Sequence, residues 1–75
     1  MNVNSVRPDV RVRTNKILGS TEGIFVEKRH LDARRPDKEG VLKGYVEGHG
    51  GDVWWVIHDD HTIAAYKLDE FEAIE

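Results

Sequence analysis

His58 and His61 flank the pair Asp59-Asp60, and His49 stands in a glycine-rich stretch just before them. Imidazole and carboxylate are the ligand types of zinc and similar ions, which need three or four of them converging on one point. These residues fall at turn positions with nothing to aim them, and an Asp-Asp turn more simply bonds its own backbone. Neither a metal nor a cofactor is therefore expected. Asp69, Glu70 and Glu72 offer carboxylates for acid–base work but crowd one short turn, the pattern of a solvated face. Gly48-His49-Gly50-Gly51-Asp52 has the glycines of a phosphate cradle, yet no Lys-Ser/Thr pair follows and no helix begins there. No serine or threonine stands beside a histidine in a catalytic arrangement. The residue types point to binding rather than to catalysis.

Two groups could bind. Trp54 and Trp55 are neighbours, and neighbours on a strand point to opposite faces, so both cannot enter one core. The expected phase puts Trp54 and Val56 inward and Trp55 with Ile57 outward, where a large aromatic adds to an apolar patch of the kind that marks an interface. The competing arrangement packs Trp55 beneath the N-terminal segment in a second small core. The other group is basic: Lys28, Arg29, Arg34, Arg35 and Lys38 around a strand end and a loop, with Tyr45, Trp55 or Tyr66 available as stacking partners for a nucleic acid. Asp32, Asp37 and Glu39 in the same segment can pair with these cations, and that solvated arrangement is the preferred one.

Short strands must position these residues. Residues 1–9 are polar and read as a loose tail. Val10-Arg11-Val12-Arg13 alternates as an edge strand does, with arginines facing water. Lys16 to Gly23 is a loop or turn, and Ile24-Phe25-Val26 opens a strand to about Leu31. Residues 32–40 form a polar loop around Pro36, which removes a donor and disfavours helix at Arg35. Val41–Glu47 is a strand with Gly44 marking a bulge or bend. The glycines after it supply a turn. Val53–Ile57, rich in β-branched and aromatic residues, is the clearest strand. Thr62–Tyr66 returns, Lys67–Glu72 holds a single helical turn, and Ala73-Ile74 closes the sheet. No sustained 3.6-residue pattern exists, so helical bundles are excluded. The expectation is an all-β, five-stranded small barrel with a short 3₁₀ turn before the last strand, residues 1–22 forming a partly flexible tail or edge strand and residues 23–75 the barrel.

The whole is 75 residues, 33% charged and 39% hydrophobic, which is one small globular domain. Residues 1–38 carry a balance of +4 and residues 39–75 a balance of −7, within a net charge of −3. A barrel interleaving both halves mixes these charges, and a pI near 5.8 is wrong for a dedicated nucleic-acid binder. No apolar run approaches the ~20 residues of a membrane span, and no secretion signal is visible at the start. The absence of cysteine excludes disulfides and thiolate zinc and fits a reducing cytoplasm.

From Gly40 to Glu72 the chain resembles the small SH3-like β-barrels of bacteria and phages. The resemblance lies in Gly44-Tyr45-Val46, in Trp54-Trp55-Val56 leading to Asp59-Asp60, in Ala65-Tyr66, and in Asp69-Glu70-Phe71-Glu72. One enzyme family sharing the pattern is the type II dihydrofolate reductase, whose active-site strand Val-Gln-Ile-Tyr is matched by Ile63-Ala64-Ala65-Tyr66. Tyr66 agrees, but Ala64 replaces the glutamine that contacts pterin and nicotinamide and can supply neither donor nor acceptor. The family's upstream lysine has only Arg34 or Arg35 near its place. The resemblance implies a fold more than an activity, since such barrels serve many roles. The expected function is a non-catalytic interaction or assembly module that binds a protein, or a second copy in a homodimer, through Trp55, Ile57, Tyr66 and Tyr45. A nucleic-acid-binding barrel using Arg34 and Arg35 is the alternative, and a reductase-like subunit the third reading.

Overall fold

The computed structural model describes residues 9–74, so the tail expected over residues 1–9 lies outside the described residues except for Asp9. The fold is all-β: one five-stranded antiparallel sheet of β1 (Arg11–Thr14), β2 (Glu39–Tyr45), β3 (Val53–His58), β4 (Ile63–Lys67) and β5 (Phe71–Ala73), in the order β4-β3-β2-β1-β5. A 3₁₀ turn, Leu68–Glu70, precedes β5 as expected. The sheet does not close into a barrel, because β4 and β5 are both edges with no ladder between them.

Alternation sets the two faces of the sheet. In and beside β1, Val10, Val12 and Thr14 are buried while Arg11 and Arg13 point away. This strand is not an edge. It lies between β2 and β5, pairing Val12 with both Gly40 and Ala73. Trp54 and Val56 of β3, Ala64 and Tyr66 of β4, Leu42 and Phe71 join Val10 and Val12 in the main core. The opposite parity, Val53, Trp55 and Ala65, packs with Ile24, Val26, Leu31 and Val46 in a second, smaller core. The expected phase of the two tryptophans therefore holds. Trp55 is also half-covered, though by residues 24–31 rather than by the N-terminal segment.

The strand expected over Ile24–Leu31 does not form. Residues 24–27 run without regular structure, and α1 (Lys28–Asp32) follows with no side-chain cap at Glu27. A five-residue helix is unstable alone, so tertiary contacts hold it. Leu31 enters the second core, and the His30 ring lies edge-on to Trp55 at 4.8 Å.

His30, Arg34 and Glu70 meet the β4 edge. His30 Nδ1 lies 2.9 Å from the Ile63 carbonyl, Arg34 Nη1 donates to the Ala65 carbonyl at 3.0 Å, and the Lys67 N–H donates to Glu70 Oε1 at 2.8 Å. With these three outward groups occupied, the β4 edge is a poorer template for strand addition.

Glycines do the rest. Gly48, Gly50 and Gly51 all take positive φ in the turn between β2 and β3. The expected irregularity at Gly44 is a register shift between Leu42 and Gly44.

Candidate functional site: an apolar groove on the outer face

Cross-strand pairing lines up Val41, Ile57 and Ile63 as one row across β2, β3 and β4, on the face opposite the main core. Directly opposed residues share a face of a sheet. In the next row, Gly44, Trp55 and Ala65, the His30 ring lies edge-on to Trp55, and Arg29 and His30 of α1 flank the aliphatic row without burying Ile63. The result is a groove of roughly 340 Å³ lined by Trp55, Ile57 and Ile63, with Arg29, His30 and Lys43 on its walls. That size is at the small end of ligand sites, about 300–1,000 Å³. It continues past His30 and Trp55 into a second depression, whose walls include Phe25, Val26, Glu27 and Glu47. Phe25 is 84% exposed, and its ring stacks on His49 at a centroid distance of 5.8 Å.

Of the residues expected to bind, Trp55 and Ile57 meet in this groove. Tyr45 is exposed and packs edge-on against its pairing partner Trp54 at 6.1 Å, and it also lines the second depression beside Trp55 and Phe25. Tyr66 corrects the expectation of an aromatic binding surface. It is completely buried, because its register with Trp54 turns it into the main core. There its hydroxyl accepts the Arg35 N–H at 2.8 Å and lies 2.6 Å from His58 Nε2.

The basic loop is likewise redirected. Arg34 is buried with Glu70, donating to its Oε2 and stacking over the Tyr66 ring at 5.3 Å. Burial in such a pair removes it from any polyanion surface. Arg35 is partly exposed and pairs with Asp60, and it also contacts Thr62 Oγ1. Arg11 bridges Glu39 and Asp59, and Arg13 also meets Glu39.

The same partners account for the Asp59-Asp60 turn. Asp60 Oδ1 accepts both the Thr62 hydroxyl, at 2.6 Å, and the Thr62 N–H, the self-bonding turn expected from the sequence. Those bonds, with Arg35, hold the Asp60 carboxyl far below the usual carboxylate range. Asp59 is lowered chiefly by Arg11, and Glu39 by Arg13 and then Arg11. No group of three or more potential ligands is placed to hold a metal among the described residues.

His58 was read from the sequence as a turn residue. It is instead buried at the end of β3, where its Nδ1 has no well-formed hydrogen bond. Burial pushes its pKa down, against the opposing pull of the Glu39 backbone carbonyl. The folded state thus binds fewer protons than the unfolded chain below the ordinary histidine value of about 6.5, so stability falls as pH drops through that range. The lowered carboxylates have the same sign but act further down, below about pH 4. Urea midpoints at pH 7.5, 5.5 and 3.5 should therefore decline in two stages. Relative to wild type, His58→Gln should flatten the first stage and keep the second; an unchanged first stage would exclude His58 as its source.

The sequence pattern does not reveal Phe25, His30, Lys43 and Ile63 as neighbours of Trp55 and Ile57, whereas Arg29 is already grouped with Trp55 there. Ile63 carried a usable signal, since alternation along β4 places it opposite Tyr66. Phe25 did not, because it lay in a run that looked like strand. No helix among the described residues is long and apolar enough to cross a membrane. Comparison with models of protein families, with curated proteins and with solved structures found no match for this chain.

Proposed function

We propose that the protein is a non-catalytic, SH3-like interaction module that grips an apolar side chain of a protein partner in the groove beside Trp55. The sheet order β5-β1-β2-β3-β4 and the 3₁₀ turn before β5 support the SH3-like reading of the Gly40–Glu72 resemblance. The observation that carries the function is the groove itself, where exposed Ile63 and half-buried Ile57 lie beside the half-covered Trp55 at a concave edge walled by Arg29, His30 and Lys43. Exposed apolar surface beside a half-covered tryptophan is costly to keep in water and typical of binding sites.

Against a nucleic-acid role stands the pairing of Arg11, Arg13, Arg34 and Arg35 with Glu39, Asp59, Asp60 and Glu70. Against a reductase-like subunit stands the burial of both Ala64 and Tyr66 in the main core.

Selection of a random peptide library on the immobilised protein tests the reading. Peptides with a large apolar anchor should be enriched, and their affinity should fall at least about tenfold on Ile57→Lys or Ile63→Lys, a loss of ~1.4 kcal/mol. Enriched peptides that bind these variants as well as wild type, or no enrichment at all, would refute the assignment.

A further inference from the structure

We infer that the natural occupant of the groove is a second copy of this chain, docked about a two-fold axis through the His30–Trp55 pair so that each Phe25 enters the other's Ile57–Ile63 pocket. The inference rests on the groove being the docking surface proposed above, and adds the identity of the partner.

Three observations converge on a self-complementary face. The first is a knob and a hole on either side of one centre. Phe25 lines only the depression beyond His30 and Trp55, whereas Ile57 and Ile63 line only the groove before them, and His30 and Trp55 line both. A two-fold rotation about the shared centre exchanges the two ends, which is the requirement of an isologous interface. The knob is ready-made, since an 84% exposed phenyl ring held against His49 loses little freedom on docking.

The second observation is charge. Arg29 and Lys43 wall the hole, and Glu27 and Glu47 wall the knob end. The same rotation sets each pair of acids against the opposite pair of bases. Within one copy Glu27 meets Arg29 at 3.0 Å and Asp9 meets Lys43 at 2.9 Å. These pairs are exposed, and exposed pairs contribute little, so they can exchange partners across an interface.

The third is area. Phe25 and Tyr45 are 84% and 57% exposed; at ~150–250 Å² per aromatic side chain they leave about 300 Å² of ring surface in water. Together with Ile63 and the exposed parts of Trp55 and Ile57, this is a sizeable apolar fraction of the ~800 Å² per partner that a standard interface buries. A chain of 75 residues has a small core for its surface, and association adds to it.

Sedimentation velocity over micromolar to millimolar protein, with isotope-filtered nuclear Overhauser spectra on a mixed labelled and unlabelled sample, tests the proposal. The wild type should shift with concentration from an 8.6 kDa species to one twice that mass, with contacts between Phe25 ring protons and Ile57 or Ile63 methyls of the other copy. Phe25→Ser on the knob and Ile63→Lys at the hole should each weaken association at least about thirtyfold. Both positions are exposed, so far-UV circular dichroism should be unchanged. A wild type that stays monomeric, variants that still associate, or a dimer without the Phe25 contacts would overturn the proposal. Peptide selection at Ile57 and Ile63 would still succeed if only the identity of the partner is wrong, and would fail if the groove is not a docking surface.

Discussion

Arg34→Ala is expected to lower stability by about 3–5 kcal/mol, the cost of leaving one member of a buried ion pair behind. For 75 residues the total stability is on the order of 4–11 kcal/mol, so the variant should be largely unfolded at modest urea. The loss is large because the pair is a junction rather than an isolated contact. Glu70 Oε2 accepts from both Arg34 and the Gly19 N–H, while its Oε1 closes the 3₁₀ turn through Lys67 N–H. Arg34 also donates to the carbonyls of Ala65 and Gly19. The pair thus ties the 18–20 loop, the segment after α1, the β4 edge and the turn before β5 to one point. Glu70→Gln should not rescue Arg34→Met, because the Gly19 and Lys67 N–H groups bond different carboxylate oxygens and the amide would turn its NH₂ donor toward one of them. Arg35→Ala, which breaks the exposed pair with Asp60, should cost within about 1 kcal/mol. Urea unfolding followed by tryptophan fluorescence compares the two directly. Equal losses for Arg34→Ala and Arg35→Ala would remove the junction from the account of the fold.

Gly40→Ala is expected to be nearly as damaging, at about 3 kcal/mol, the upper end of ordinary overpacking. A methyl group at Gly40 would sit 2.6 Å from the Ile57 carbonyl oxygen, 2.9 Å from Val56 Cγ1 and 3.1 Å from His58 Cα. Two of these three are backbone atoms of β3, so no rotamer change relieves the contact and the β2–β3 ladder must open. At roughly 4–8 °C per kcal/mol for a domain of this size, the melting temperature should fall by about 12–24 °C. Gly44→Ala is the control. Its methyl group would meet nothing within 4 Å, and alanine restricts the unfolded chain, so its effect should lie between neutral and about 1 kcal/mol stabilising. Thermal melts that rank the two variants the other way would show that Gly44, not Gly40, carries the steric demand. Because Gly40 lets β2 approach β3 beside Val41 and Ile57, the same substitution should also disturb the groove.

The two glycines show how far residue patterns reach. Gly44 was legible as an irregularity because it interrupts an apolar strand, and a register shift does occur there. The closer demand at Gly40 left no local trace, since it arises from the backbone of a strand sixteen or more positions away. Alternation was equally informative about phase. Val12 inward with Arg11 and Arg13 outward, and Trp54 opposed to Trp55, follow from the two-residue repeat of a strand alone. The all-β class, the 3₁₀ turn and the glycine-rich turn needed no more than local chemistry.

What lay beyond such patterns was every property that depends on which element covers which. Local propensity over Ile24–Leu31 favoured a strand, yet these residues cap the outer face and end in a short helix, because burying Ile24, Val26 and Leu31 over Val53 and Ala65 outweighs their preference. Tyr66 and Arg34 carry the side chains of a binding surface, and burial converts them into scaffold. Ile63 and Phe25, unremarkable in the chain, stay exposed on either side of the His30–Trp55 contact, where no other element covers them. A period of two tells each residue its face of the sheet, but only long-range packing determines whether that face meets water, and here that difference separates the core from the groove.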